Sequence, residues 1–323
     1  MFARLMLLAC SGFSAALAYS DPGACSGVCG NTHDPSIIQR SDGRYFRFST
    51  GGLIQIHTAP SISGPWTFAC EMLSKAARLQ VENNKGTDLW APDVSLVGDV
   101  YYVYYSVSYF ASQNSGIGLA TSDTLECGSF TDLGPTGVAS CNGSVYNAID
   151  PNLVPTDDGY QLLFGGFWQD LYTVAFSEPP ARAAGTSVQV AYDPSDKHAV
   201  EGGAMINTNG YWYLFFSAGQ CCGYSRSMPA AGGEYKIKVC RSTSPTEGFV
   251  DASGTDCLQA GGTIVLESHD NVYGPGGQSV YHDSENGWIV VYHYVDTNIG
   301  YADGDKVFGW NMLDFSSGWP VIQ

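Results

Sequence analysis

The sequence predicts an all-β fold, a five-bladed β-propeller, and three observations carry that expectation. Helical periodicity is almost absent, and short runs rich in Tyr, Phe, Val and Ile take its place. Gly, Pro, Asn and Asp punctuate those runs where turns belong. One two-strand grammar then recurs five times: a polar start, an apolar strand, a turn, and an aromatic-rich strand.

In chain order, residues 1–18 stand apart from this pattern. Arg4 precedes an almost unbroken apolar run from Leu5 to Leu17, and Ala16-Leu17-Ala18 has the small-residue spacing of a cleavage site. The run is shorter than the ~20 residues that a membrane span takes. A signal peptide over 1–18 is expected, and with it a secreted, extracellular chain whose residues 19–323 form one catalytic-size domain.

The first repeat is Asp34-Pro-Ser-Ile-Ile, the turn Asp42-Gly43, then Tyr45-Phe-Arg-Phe-Ser. The second is Asp93-Val-Ser-Leu-Val, Gly98-Asp99, Tyr101-Tyr-Val-Tyr-Tyr-Ser, and the third Asp150-Pro-Asn-Leu-Val, Asp158-Gly159, Tyr160-Gln-Leu-Leu-Phe. The fourth is Glu201-Gly-Gly-Ala-Met-Ile, Asn209-Gly210, Tyr211-Trp-Tyr-Leu-Phe-Phe-Ser. The fifth is Gln278-Ser-Val-Tyr, Asn286-Gly287, Trp288-Ile-Val-Val-Tyr. Asn-Gly and Asp-Gly suit two-residue hairpin turns, whose central residues need positive φ. The interval between starts holds about four strands, and four-stranded units repeated radially make a propeller. An unrepeated β-sandwich is the alternative.

The repeat also says where chemistry would sit, because the first strand of each propeller blade lines the central channel. Asp34, Asp93, Asp150 and Glu201 head four of the five first strands, so four carboxylates are expected to converge. Like charges so gathered oppose one another and shift each other's pKa, an unfavourable arrangement unless it is used. A funnel of opposed carboxylates with many aromatics is equipment for glycoside hydrolysis: one acid protonates the leaving oxygen and another carboxylate activates water. Trp90, Phe110, Tyr146 and Trp168 are the aromatic candidates for stacking on sugar rings, with Trp90 favoured for its closeness to Asp93. The net charge of −17 argues against nucleic acid and anionic membrane as partners and suits a neutral polysaccharide, although solubility alone explains it equally well.

Four motifs in order resemble glycoside hydrolase family 43, most of all its fungal endo-1,5-α-L-arabinanases. They are His33-Asp34-Pro35-Ser36, Leu89-Trp90-Ala91-Pro92-Asp93-Val94, Tyr146-Asn147-Ala148-Ile149-Asp150-Pro151-Asn152 and His198-Ala199-Val200-Glu201-Gly202-Gly203. The resemblance implies an inverting mechanism with Asp34 as general base, Glu201 as general acid, and Asp150 orienting that acid and raising its pKa. It gives Asp93 no chemical role, so Asp93 is kept as structural or substrate-contacting. Substrate contact is expected from His33, Trp90, Asp93, Phe110, Asn147, Trp168 and the Cys221-Cys222 pair. The implied partner is arabinan, acted on by a monomer. An exo-acting arabinofuranosidase or β-xylosidase and a non-catalytic carbohydrate-binding propeller are the alternatives.

Bacterial relatives of the resembled group often carry Gly-Pro-Gly-His in the last blade, with the histidine beside a calcium ion. Here the segment is Gly274-Pro275-Gly276-Gly277-Gln278, and His293 lies too deep in the blade to replace that histidine. No cofactor is expected to be required; calcium held mostly by water near Gln278 and His293 is the metal the acidic funnel would admit. Nine cysteines lie outside the leader, and most should be oxidised in an exported chain. Cys221–Cys222 is favoured as a vicinal disulfide, with Cys240–Cys257, Cys127–Cys141 and Cys25–Cys29 as candidate pairs and Cys70 left free. Asn142-Gly143-Ser144 is the N-glycosylation candidate.

Overall fold

The computed structural model describes residues 19–195 and 197–323, so the expected signal peptide lies outside the described residues. The chain is a five-bladed β-propeller, each blade a four-stranded antiparallel sheet built from consecutive strands. Blade 1 holds β1 (Ser36–Gln39), β2 (Tyr45–Ser49), β3 (Gln55–Ala59) and β4 (Thr67–Glu71). Blade 2 holds β5 (Leu89–Val97), β6 (Val100–Val107), β7 (Ser115–Ser122) and β8 (Thr131–Ser140). Blade 3 holds β9 (Asn152–Thr156), β10 (Gly159–Gly165), β11 (Leu171–Phe176) and β12 (Val188–Ala191). Blade 4 holds β13 (Val200–Thr208), β14 (Tyr211–Ala218), β15 (Lys236–Ser242) and β16 (Thr263–Leu266), and blade 5 holds β17 (Val272–Asp283), β18 (Gly287–Asp296), β19 (Lys306–Asp314) and β20 (Val321–Ile322).

The turns follow the residues that demand them. Asn209 and Gly210 both have positive φ, 52° and 79°, in the two-residue turn between Thr208 and Tyr211. In blade 3 the turn falls on Asp157-Asp158, one residue earlier than expected, and Gly159 opens β10.

The aromatic second strands are buried on both faces, which is why they read as continuous apolar runs. Side chains alternate along a strand, so Tyr101, Val103 and Tyr105 of β6 pack against blade 1 while Tyr102 and Tyr104 pack against blade 3. Likewise Trp212, Leu214 and Phe216 of β14 face blade 3, and Tyr213 and Phe215 face blade 5. Burying one such side chain stabilises the fold by roughly 1.5–3 kcal/mol. The ring closes through the N-terminal segment, which sequence reasoning did not anticipate. Phe308 N–H donates to Cys29 O and Thr32 N–H to Lys306 O on blade 5, while Trp66 N–H donates to Ser26 O on blade 1.

Disulfides join Cys25–Cys29, Cys70–Cys127, Cys221–Cys222 and Cys240–Cys257. The expected Cys127–Cys141 pair is not formed, nor is Cys70 free. Cys127 precedes β8 and Cys141 follows it, so an extended strand of roughly 30 Å keeps them apart. Cys70 of blade 1 reaches Cys127 of blade 2 instead, and Cys141 is exposed and unpaired. Asn142 beside it is exposed.

Each innermost strand enters the channel through one left-handed residue: Asp34, Ala91, Asp150, Gly202 and Gly277, with φ of 46°, 43°, 55°, 61° and 59°. In blades 2, 4 and 5 that residue sits in a β-bulge, which re-aims the neighbouring side chains. The five residues and those that follow them line one shared cavity. In four blades, the entering residue's N–H is accepted by a side chain at the end of the preceding blade's second strand. Ala91 donates to Thr50 Oγ1 (2.7 Å), Asp150 to Ser106 Oγ (2.9 Å), Gly277 to Ser217 Oγ (2.9 Å) and Asp34 to His293 Nδ1 (3.0 Å). Gly165 occupies this place in blade 3 and offers no side chain, and the Gly202 N–H goes to Asp150 Oδ2 at 3.0 Å.

Candidate active site

This five-fold pattern corrects the register read from the sequence. Asp34 and Asp150 are true equivalents, but Glu201 precedes its blade's entering residue by one and Asp93 follows its own by two. Asp93 therefore belongs with Ser36 and Asn152, whose side chains accept the N–H groups of Val94 (3.1 Å) and Met205 (2.9 Å) in the next blade. Asp93 does the same, taking Leu153 N–H on Oδ2 at 2.8 Å and Asn152 Nδ2 on Oδ1 at 3.0 Å. Both oxygens are used and the residue is 6% exposed, so Asp93 serves as a blade-to-blade tie within the cavity lining. Burial pushes its carboxyl up to about 6, against those two hydrogen bonds.

Three carboxyls remain: Asp34 and Asp150 line the cavity, and Glu201 precedes its lining residue Gly202. Thr50 Oγ1 donates to Asp34 Oδ2 at 2.6 Å, and the Asp34 side chain is 30% exposed. Glu201 Oε1 accepts the Tyr235 hydroxyl at 3.0 Å. Burial above all, with the Asp34 charge adding to it, pushes the Glu201 carboxyl up to about 7 in spite of the Tyr235 hydrogen bond. Asp150 is raised well above the usual carboxylate range by burial first, then by the charges of Glu201 and Asp34. The arrangement thus holds a proton on a carboxyl near neutral pH, beside a second carboxyl tethered by a threonine hydroxyl. Proton donation and proton acceptance are both within reach of one cavity.

The expected substrate contacts divide. Asn147 is 3% exposed and its Oδ1 accepts Ser115 Oγ at 2.6 Å, so it shapes the loop entering blade 3. His33 is half-buried, with Nε2 donating to Asp303 O at 2.7 Å. Trp90 is half-buried next to Ala91, its indole N–H on Asp88 Oδ2 at 2.9 Å. Phe110 stands 74% exposed in the β6–β7 loop. Trp168 is half-buried in a loop where Phe167, Trp168 and Asp170 all have φ between 52° and 59°. That loop lies against Glu201: Gly166 pairs with Glu201 and Phe167 N–H donates to Val200 O at 2.9 Å. Strain of this kind concentrates at functional sites. Cys221 and Cys222 are half-buried and form the vicinal disulfide.

Neither expected metal candidate offers a free donor atom. Gln278 Oε1 accepts Ser217 Oγ at 2.7 Å and its Nε2 donates to Gly202 O. His293, read as too deep to replace the missing histidine, lies against Asp34: Nδ1 accepts the Asp34 N–H and Nε2 sits 3.4 Å from Lys306 Nζ. A side chain at Gly277 would run into Asp34 Oδ1 and the His293 ring, which explains the glycine there. These residues do not fit calcium as ligands. Among the described residues, the cluster of three that could share an ion is Asp21, His269 and Asp270, none of which lines the cavity.

Tyr235, Thr50, His293 and Lys306 were not singled out from the sequence as parts of the acid cluster. Thr50 and His293 hold the same place in the repeat as Ser106 and Ser217, a signal that a stricter alignment of the second strands would have exposed. Tyr235 has no counterpart in the other repeats.

The family model for Glycosyl hydrolases family 43 matches residues 28–320. The chain is 59% identical over 305 residues to arabinan endo-1,5-α-L-arabinosidase A of Aspergillus niger, covering 94% of each chain. It is 58% identical to a probable arabinan endo-1,5-α-L-arabinosidase A of Emericella nidulans, again with 94% of each covered. Among solved structures it resembles a GH43 endo-arabinanase of Bacillus licheniformis (33% identity, TM-score 0.81, 92% of this chain and 99% of that one). An exo-1,5-α-L-arabinanase from a bovine ruminal metagenomic library superposes as well (28% identity, TM-score 0.82, 93% and 99%). With a family model matched over residues 28–320 and 59% identity across 94% of the chain, the chain belongs to glycosyl hydrolases family 43.

Proposed function

We propose that the protein is a secreted endo-1,5-α-L-arabinanase that hydrolyses internal α-1,5-L-arabinofuranosidic bonds of arabinan with inversion. The observation that carries this reading is a cavity lined by Asp34 and Asp150, with Glu201 on the main chain that enters it at Gly202 and its carboxyl held up to about 7. In it, Glu201 protonates the departing glycosidic oxygen. Asp34 takes a proton from the water that attacks the opposite face of the sugar. Asp150 holds the backbone beside Glu201 through the Gly202 N–H and, by its charge, opposes ionisation of the acid. Identity of 59% to the Aspergillus niger enzyme supports the substrate, and four disulfides support an oxidising, extracellular setting.

An exo-acting reading is kept because an exo-arabinanase shares the fold at a TM-score of 0.82. The product profile on debranched arabinan decides between them. A ladder of oligosaccharides in the first minutes is expected; monomer or a single short product from the outset would move the protein to the exo class. Strong hydrolysis of xylan with none of arabinan would overturn the substrate.

A further inference from the structure

At four of the five places around the cavity, a side chain at the end of the preceding blade's second strand accepts the N–H of the entering residue, and three of those acceptors are hydroxyls. A hydroxyl accepts at any pH. The fourth, His293, accepts the Asp34 N–H on an imidazole nitrogen, and that acceptor is lost once the ring is protonated. Asp34 has a φ of 46°, an unfavourable conformation for a residue with a side chain, so the bond matters to it more than to a glycine. The Asp34 N–H also dictates the tautomer: Nδ1 is bare and the ring proton is on Nε2, so Lys306 Nζ, 3.4 Å from Nε2, acts on the ring by charge and not as a hydrogen-bond donor.

Lys306 faces that ring. It is fully buried on β19, with Nζ 3.4 Å from His293 Nε2 and 3.9 Å from Asp303 Oδ1. Its other contacts run to the vicinal disulfide, donating to Cys221 O at 2.6 Å and lying 3.6 Å from Cys222 Sγ. We propose that Lys306 is a positioning residue for Asp34, acting through His293 and anchored by the Cys221–Cys222 loop.

Burial first, then the charge of Lys306 and His33, whose ring lies 5.2 Å away, oppose a positive charge on the ring, against the pull of the Asp34 carboxylate, whose Oδ1 is 3.5 Å from Nδ1. Tyr235 stacks on the other side at 5.9 Å, and Asp34, Asp303 and Glu201 supply the negative charge that lets a buried ammonium persist. The vicinal disulfide is then explained as a rigid mount. Its carbonyl fixes the lysine head, and Gln220 Nε2 pins the Cys222 carbonyl at 2.9 Å.

This inference rests on the proposed arabinanase chemistry for its kinetic test but has a readout of its own. Lys306→Met keeps the apolar stem and removes the ammonium. It is expected to lower kcat on linear arabinan by about ten-fold or more through misplacement of Asp34, with KM changed less than about two-fold because Lys306 is out of reach of substrate. The acid limb of the kcat/KM profile should move to higher pH as His293 becomes protonable. Nitrogen-15 histidine spectra of the wild type should show His293 neutral, with Nδ1 bare, at and below the ordinary histidine value of about 6.5; the variant should titrate nearer that value. If Lys306→Met does not fold, Lys306→Gln keeps a donor for the Cys221 carbonyl without charge and should show the same shift. A wild-type His293 that titrates at or above the ordinary histidine value, or a neutral variant with wild-type kcat and pH profile, would overturn the proposal. Wild-type protein inactive on arabinan would instead count against the function while leaving the spectral test intact.

Discussion

Asp150 Oδ2 accepts the backbone N–H of Gly202, the residue that follows Glu201, at 3.0 Å. The bond exists because Gly165 has no side chain to take that N–H as its equivalents in the other blades do. One carboxyl thereby fixes the main chain that carries another. Asp150→Asn is expected to keep the fold and to lower kcat at least ~10²-fold, as are Glu201→Gln and Asp34→Asn. Kinetics on linear arabinan checks this; Asp150→Asn at wild-type kcat would remove Asp150 from the machinery.

Asp93→Asn should behave differently. One buried acceptor is replaced by a donor facing Asn152 Nδ2, so stability should fall by about 1–3 kcal/mol. Because both Asp93 oxygens are taken by blade-to-blade hydrogen bonds, kcat should change less than about three-fold. Thermal unfolding and kinetics together separate the two roles, and a loss of kcat matching that of Glu201→Gln would return Asp93 to the chemistry.

Glu201 held up to about 7 places the alkaline limb of kcat/KM near pH 7, since the acid must carry its proton. Tyr235→Phe removes the hydrogen bond that favours the carboxylate, so that limb should move to higher pH. An unmoved limb would mean that another group sets it.

The same shifts affect stability. A carboxyl whose folded pKa is raised binds its proton more tightly when folded, so its share of stability is greatest below the unfolded value and falls as pH rises through the folded one. For Glu201 that window runs from 4.5 to about 7. Glu201→Gln should therefore unfold at a higher temperature than wild type at pH 7 and at nearly the same temperature at pH 4. A gap that narrows toward neutral pH would contradict the account.

The propeller, its five repeats and the three acids were legible in the sequence because turn residues and aromatic strands recur on a fixed grammar. The register was not. Asp34-Pro35 and Asp150-Pro151 align with Ala91-Pro92, yet the acid at 93 and the acid at 201 drew the eye to positions two residues later and one residue earlier. Bulges at Trp90/Asp93 and Glu201/Ala204 leave no mark on composition. The pairing of Cys70 with Cys127 was hidden too, because it depends on which blades are neighbours in space.

With Gln278 fully hydrogen-bonded and His293 held between Asp34 and Lys306, chelator should leave most of the activity. Assays before and after exhaustive EDTA treatment check this. Complete loss restored by calcium would place an ion in the channel after all.

The central claim, that Glu201 and Asp34 act on opposite faces of the bond, is tested most directly by proton NMR of the first product from linear α-1,5-arabinan. Inversion predicts that the new reducing end appears in the β configuration before mutarotation mixes the anomers. An α-configured first product would mean retention, and with it a covalent intermediate that this division of labour does not allow.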